Sequence, residues 1–321
     1  MKMKLAFAVL LATTVVAQPA FAADAADPRF KAYQPISGVS GTLKSVGSDT
    51  LNNLMTLWAE DFKKLYPAVK IEIEGKGSST APPALIAGTA QFGPMSRAMR
   101  PQEMDQFEAK YGYKPTVVRV AVDALAMFVH KDNPLKCLSL AQIDGMYSIS
   151  HNSGSTDLKT WDQVGLSGEY KGKIVSLFGR NSASGTYSYF KEVALLNGDY
   201  KGTVKEQPGS SAVVQGVASD KFAIGYSGIG YKTADVKAIQ VSGRDGVCRE
   251  PSQVNAYAGK YPVTRFLYVY LNKNPSAPLD PLRAEFLKYV LSGSGQSDTT
   301  KDGYYPMPFV FAQEDQKKLG L

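Results

Sequence analysis

Histidine and cysteine are almost missing from this chain, with two of each in 321 residues. That scarcity removes much of enzyme chemistry. A Ser-His-Asp triad needs a histidine base, and the two on offer are ill placed: His130 follows a stretch that reads as a buried strand, and His151 lies in a loop of Ser, Gly and Asn. A metal site of the zinc type needs clustered ligands. His130, His151, Cys137 and Cys248 show no such spacing, so no metal is expected. The G-x-S-x-G elbow of many hydrolases does not occur. Ser188-Tyr189-Phe190-Lys191 fits S-x-x-K, but S-D-N is absent and Lys232-Thr233-Ala234 is not K-T-G. So short a pattern arises by chance, and it reads as helix surface plus core. A serine hydrolase is the weaker alternative; no catalytic residue and no cofactor is expected.

Long apolar runs are scarce too. A membrane-spanning helix takes roughly 20 apolar residues, and the conspicuous run, Leu5 to Val16, falls short. It stands between basic Lys2 and Lys4 and the small-x-small sequence Ala20-Phe21-Ala22, the order of a secretory signal peptide. Residues 1–22 are therefore expected to be removed, leaving a soluble periplasmic chain, or one that is secreted or held at the cell surface. No cysteine stands directly after that cleavage site, so no lipid anchor on a new N-terminal cysteine is expected. In an oxidising compartment, two cysteines far apart in sequence are the pattern of a disulfide. A Cys137–Cys248 bridge closes a loop of more than a hundred residues, worth roughly 4–5 kcal/mol in the chain-entropy model.

Charge leans positive: 36 Lys and Arg against 29 Asp and Glu give +7, and loss of Lys2 and Lys4 leaves 7 − 2 = +5. That balance suits an anionic ligand through long-range attraction. Nucleic acid would suit it equally on charge alone, but no basic stripe, zinc spacing or aromatic nucleic-acid motif is present, so none is expected as partner. The length allows two lobes of about 100–150 residues each.

Three strand-to-helix turns of one kind recur. Leu43 to Val46 reads as a strand, ends in Gly47-Ser48-Asp49-Thr50, and leads to a helix with Leu51, Leu54, Met55, Trp58, Phe62 and Leu65 at helical spacing; Asp49 or Thr50 is its expected cap. Val69, Ile71 and Ile73 alternate with charged residues in a strand that runs into Gly75-Lys76-Gly77-Ser78-Ser79-Thr80, with Pro82 and Pro83 in a first helical turn. Lys173 to Phe178 leads to Gly179-Arg180-Asn181-Ser182-Ala183-Ser184-Gly185-Thr186 and a helix expected from Tyr187. A helix N-terminus carries unpaired N–H groups and partial positive charge, so it attracts anions. Singly, each turn is read as a cap. Three in one exported chain, one with Arg180, point to an enclosed oxyanion.

At these residues the sequence resembles the phosphate-binding proteins of the phosphate-specific ABC transporter, the PstS family, and most closely their pseudomonad form. The similarity runs through Ser45 to Leu51, Gly77 to Pro83, Phe92-Gly93-Pro94-Met95-Ser96-Arg97, Gly179 to Thr186, Ile224-Gly225-Tyr226 and Tyr261-Pro262-Val263-Thr264-Arg265. It implies an α/β, two-lobed type II periplasmic binding fold with two hinge crossings. The implied division is an N-terminal extension over residues 23–37, partly mobile; lobe I over 38–119 and 265–321; and lobe II over 120–264. Implied partners are inorganic phosphate and inner-membrane permease subunits, with the protein a monomer. Arsenate, nearly identical in shape, is an alternative ligand, and an exported scavenger, adhesive or signalling protein an alternative role.

Carried over position by position, the resemblance implies phosphate contacts from Thr50, Leu51, Ser78, Arg180, Ser184, Gly185 and Thr186, with Ser96 and Arg97 as a further pair. One position departs. Many members read Phe-Gly-Ala-Ser-Asp, and that Asp accepts the proton remaining on phosphate, which sulfate lacks; here the acid is missing. Two acids are candidates for its role. Asp123 is a lone charge in an apolar stretch, where it either faces the ligand or is the buried partner of Arg97 or Arg180. Asp49 is the other, against its plainer reading as an N-cap. Arg97 either contacts the anion or neutralises Asp123.

Overall fold

The structure, a computed structural model, describes residues 26–321, so the expected signal peptide lies outside the described residues. Strands β1 (Gly41–Val46), β2 (Val69–Glu74) and β3 (Phe92–Met95) alternate with helices α1 (Asn52–Leu65), α2 (Ala81–Ala87) and α3 (Pro101–Tyr111). The 15-residue β4 (Thr116–His130) leads to β5 (Cys137–Ser139) and α4 (Leu140–Tyr147). Then come β6 (Ser176–Arg180), α5 (Gly185–Val193), β7 (Lys205–Gln207), α6 (Ser210–Ser219), β8 (Ala223–Gly228), β9 (Val236–Ser242), β10 (Cys248–Arg249) and α7 (Gln253–Tyr257). Strand β11 (Thr264–Leu271) and helices α8 (Pro281–Val290), α9 (Gly293–Lys301) and α10 (Phe309–Leu319) follow.

The main sheet runs β2-β1-β3-β11-β4-β8-β6-β7. In its first half β1 is parallel to β2 and β3, as β-α-β connections require. In its second half β6 is parallel to β7 and β8. Two antiparallel strands join the halves. Residues 116–124 of β4 pair with β11, and residues 125–129 of the same strand pair with β8. Both strands are largely buried, which explains their apolar composition. At the changeover Asp123 lies directly opposite Arg265, so the register alone brings an acid and a base together.

Helix α1 buries Leu54, Met55, Trp58 and Phe62 against the first half-sheet and the C-terminal helices, each worth roughly 1.5–3 kcal/mol. Trp58 donates from Nε1 to the Gly295 carbonyl at 2.8 Å, and Phe62 meets Phe286 edge-on at 5.3 Å. Behind α5, Phe190 stacks on Tyr226 with centroids 3.8 Å apart. Strands β5 and β10 flank β9, and the Cys137–Cys248 disulfide ties them together across it, with Cα atoms 6.1 Å apart. The segment before Gly38 is docked rather than free: Tyr33 donates to Glu285 at 2.6 Å, and its N–H reaches Ser294 at 3.1 Å. Among the described residues no helix is long and apolar enough to cross a membrane, and no group of three or more His, Cys, Asp or Glu is placed to hold a metal ion.

Candidate anion-binding site

Parallel pairing sets the first two turns side by side. The Gly47 N–H donates to Glu74 at 2.9 Å, and the Gly77 N–H to Gly47 at 2.8 Å. The third turn comes over from the second half-sheet. Ser79 donates to the Ala183 carbonyl from both N and Oγ, at 3.2 and 3.1 Å. Gly77, at φ 121°, is needed here, because a Cβ would lie 2.5 Å from that same carbonyl oxygen. Each turn leads into a helix, with differences in detail from expectation. Three-residue 3₁₀ turns, Asp49–Leu51 and Ser78–Thr80, precede α1 and α2, and neither Asp49 nor Thr50 caps α1 through its side chain. Helix α5 begins at Gly185, two residues before Tyr187, because Ser184 caps it by accepting from the Thr186 and Tyr187 N–H groups.

Freed from capping, the Thr50 hydroxyl lies 2.9 Å from that of Thr186. Ser96 Oγ is 3.5 Å from Thr186 Oγ1 and 3.2 Å from Ser78 Oγ, and the Ser96 N–H donates to Ser78 Oγ at 3.0 Å. All four residues are fully buried. Gly185 packs against them so closely that a Cβ would collide with Ser78 Oγ and stand 2.7 Å from Ser96 Oγ. Leu51 is buried in the core, so only its backbone can serve a ligand in the first turn. The Tyr304 hydroxyl, donating to the Thr50 carbonyl at 2.9 Å, and that of Tyr231, donating to the Asp49 carbonyl at 2.8 Å, fix this turn.

The cation at the hydroxyl cluster is Arg265, which sequence reasoning did not assign to the site. It donates to Thr186 Oγ1 at 2.9 Å and to the Ser96 carbonyl at 2.7 Å. Asp123 holds it there, accepting from its Nε and Nη2 at 3.0 and 2.7 Å through Oδ2, while Oδ1 accepts the Ile229 N–H at 3.0 Å. The guanidinium also lies over the Tyr189 ring, 5.2 Å from its centroid. Burial pushes the Tyr189 hydroxyl pKa up, so that ring stays neutral beside the cation.

Arg180 is engaged elsewhere. It donates to Ser210 Oγ at 2.7 Å and to the Pro208 carbonyl at 3.0 Å, and pairs with Asp49 at 3.1 Å. Its buried Nε has no hydrogen-bond partner among the described residues. Burial pulls its pKa below the ordinary value, against the opposing effect of Asp49. Asp49 also accepts the Ser210 N–H at 2.7 Å, so it caps α6 from the other half-sheet rather than its own helix. Three expectations are thereby corrected. Asp49 is no cap of α1; the partner of Asp123 is neither Arg97 nor Arg180; and Arg97 neither neutralises Asp123 nor points to the cluster. Glu103 takes Arg97 bidentately at 2.7 and 2.6 Å, because its place at the start of α3 lies within reach.

Residues 33–294 match the description of a PBP superfamily domain. The phosphate-binding protein PstS of Pseudomonas aeruginosa is 56% identical over 323 aligned positions, covering 100% of both chains. This chain belongs to the PstS family. A PstS of Staphylococcus epidermidis is 28% identical, covering 84% of this chain and 80% of its own. Among solved structures, a putative phosphate ABC transporter substrate-binding protein with bound phosphate from Clostridium perfringens has a TM-score of 0.71 at 26% identity, covering 84% of this chain and 100% of that one. A phosphate transport receptor from Vibrio cholerae, at TM-score 0.63 and 24% identity over 83% of this chain and all of that one, speaks for the fold alone.

The fold is the α/β, two-lobed type II periplasmic binding fold that the resemblance implied. Within this PstS frame, the overlooked arginine left a readable signal. Asp123 and Arg265 are lone, opposite charges in the two apolar stretches, residues 120–129 and 261–272, expected to cross between lobes, and such charges need each other.

Proposed function

We propose that this chain is a non-enzymatic periplasmic binding protein that captures inorganic phosphate between two lobes and passes it to the permease of an ABC transporter. The observation that carries the reading is the convergence of Thr50, Ser78, Ser96 and Thr186 hydroxyls with the Arg265 guanidinium, drawn from segments far apart in sequence and all buried. Identity of 56% along the full length with a relative named for phosphate binding supports it. The lobes are residues 38–119 with 265–321, and 120–264, hinged through β4 and β11. Thr50, Leu51, Ser78 and Ser96 belong to the first; Arg180, Ser184, Gly185 and Thr186 to the second; Arg265 stands at the boundary.

Hydroxyls bonded to one another gain little beyond what water offers them. A tetrahedral anion between them replaces those bonds with shorter, stronger charge-assisted ones. It enters as the lobes part and draws them together, because donors from both sides reach it only in the closed form. Arg180 contributes its unpartnered Nε and holds the rim through Asp49. Asp123 acts by positioning Arg265. Titration calorimetry in phosphate-free buffer tests the reading: saturable binding of one phosphate is expected, with no sustained hydrolysis of a chromogenic phosphate ester. Turnover of the ester, or no heat with phosphate, overturns it.

A further inference from the structure

A second cationic concavity lies wholly within residues 120–264. It has a volume of about 420 Å³, and its lining includes Lys136, Lys232, Lys237, Gln240, Glu250 and Ser252. Some lysine heads on this protein find an acid, as Lys131 does with Asp235 at 2.9 Å and Lys221 with Glu169 at 2.8 Å. Lys136, Lys232 and Lys237 have no ion pair within 4.0 Å among the described residues, and Glu250 is the single carboxylate in the lining. Three ammonium groups against one carboxylate leave a local charge of about +2 at neutral pH. Like charges crowded around a hollow repel one another, and a bound polyanion removes that cost.

The frame is rigid. Lys237 lies on β9 and Lys136 directly precedes Cys137, while Glu250 follows β10 two residues after Cys248. The disulfide locks β5 to β10 across β9, so both sides of the rim are fixed before any ligand arrives. Burial and the neighbouring Lys136 both lower the Lys237 pKa, as expected of an ammonium facing another without a counter-ion. Lysine is a point-charge phosphate binder with rotatable donors. At about 420 Å³ the hollow has room for more than one phosphoryl group, so it suits a short chain of them.

We propose that the Lys136–Lys232–Lys237 hollow binds a soluble di- or polyphosphate, independently of the interlobe site. The test is calorimetric titration of pyrophosphate into the full protein already saturated with inorganic phosphate, which occupies the interlobe site. Binding is expected that weakens at least tenfold in Lys237→Met and further in Lys232→Met/Lys237→Met, and that falls steeply with added salt. Phosphate affinity should stay unchanged in both variants, which also verifies their folding. Three results overturn the proposal: no pyrophosphate heat in the phosphate-saturated protein, heat unaltered by the lysine substitutions, or equal affinity for citrate, which would make the hollow a general anion trap. None of these bears on whether the interlobe site takes phosphate.

Discussion

Arg265→Met would remove the guanidinium 2.9 Å from Thr186 Oγ1 while leaving Asp123 fully buried without its cation. Two losses then bear on phosphate. A charge-assisted hydrogen bond is worth about 1.5–3 kcal/mol. The abandoned carboxylate also repels the anion: two unit charges ~6 Å apart at an effective dielectric of ~20 interact by about 2.8 kcal/mol. Together they amount to ~4–6 kcal/mol, a weakening of about 10³- to 10⁴-fold. Stability should fall by about 3–5 kcal/mol, the usual result of breaking a buried ion pair. Asp123→Asn leaves the opposite imbalance. It should destabilise the ligand-free protein similarly, yet bind phosphate within tenfold of the parent or tighter, because the anion now supplies the missing negative charge. The double variant Asp123→Asn/Arg265→Met carries neither uncompensated charge, so it should fold better than either single variant and bind about 10- to 100-fold more weakly than the parent. Calorimetry for affinity and thermal scans with and without phosphate for stability complete the cycle. Folded Arg265→Met or double variant that binds phosphate as tightly as the parent would refute the role given to Arg265.

Gly185→Ala should weaken phosphate binding by at least 100-fold in calorimetry and cost about 1–3 kcal/mol in urea unfolding, since its Cβ collides with the Ser78 hydroxyl. Asp49→Asn loosens the contact to Arg180 and α6; small-angle scattering should then show a more open ligand-free form, with phosphate affinity down about tenfold, or 1.4 kcal/mol. Burial raises the Asp302 carboxyl to about 7 from its ordinary 3.8, so between those pH values the folded chain holds a proton that the unfolded chain has released. Stability should therefore fall as pH rises through that window, by at most ~4 kcal/mol, and Asp302→Asn should flatten the slope in pH-dependent unfolding. Replacing Cys137 and Cys248 with Ala should lower unfolding free energy by about 4–5 kcal/mol, because the bridge closes a loop of 111 residues, and should leave phosphate affinity intact, because neither cysteine belongs to the hydroxyl cluster.

The turns were legible because their chemistry is local: glycine, Ser or Thr, then a helix, at Gly47, Gly77 and Gly179. Asp123 stood out as a lone acid among apolar neighbours. Its partner was harder to find, since Arg265 is 142 residues away and only the antiparallel register of β4 against β11 sets the two opposite each other. Arg97 misled for the same reason in reverse. It adjoins Ser96 in sequence, but at a strand end its side chain turns to Glu103 on the following helix. Asp49 reads as an N-cap by composition, yet the 3₁₀ turn it begins points its carboxylate across to α6, a contact that no local pattern encodes.

The Phe92–Arg97 stretch carries no acid, and the two carboxylates near the cluster, Asp49 and Asp123, both hold arginines. In the proposed function, discrimination against sulfate falls to hydroxyls that accept as well as donate, a weaker device than a carboxylate. The most direct measurement is equilibrium dialysis of the stripped protein against labelled phosphate, with sulfate as competitor. The account requires one phosphate per chain, abolished in Thr186→Val, with sulfate competing at high excess. Absence of bound phosphate, or phosphate retained in full by Thr186→Val, would contradict it.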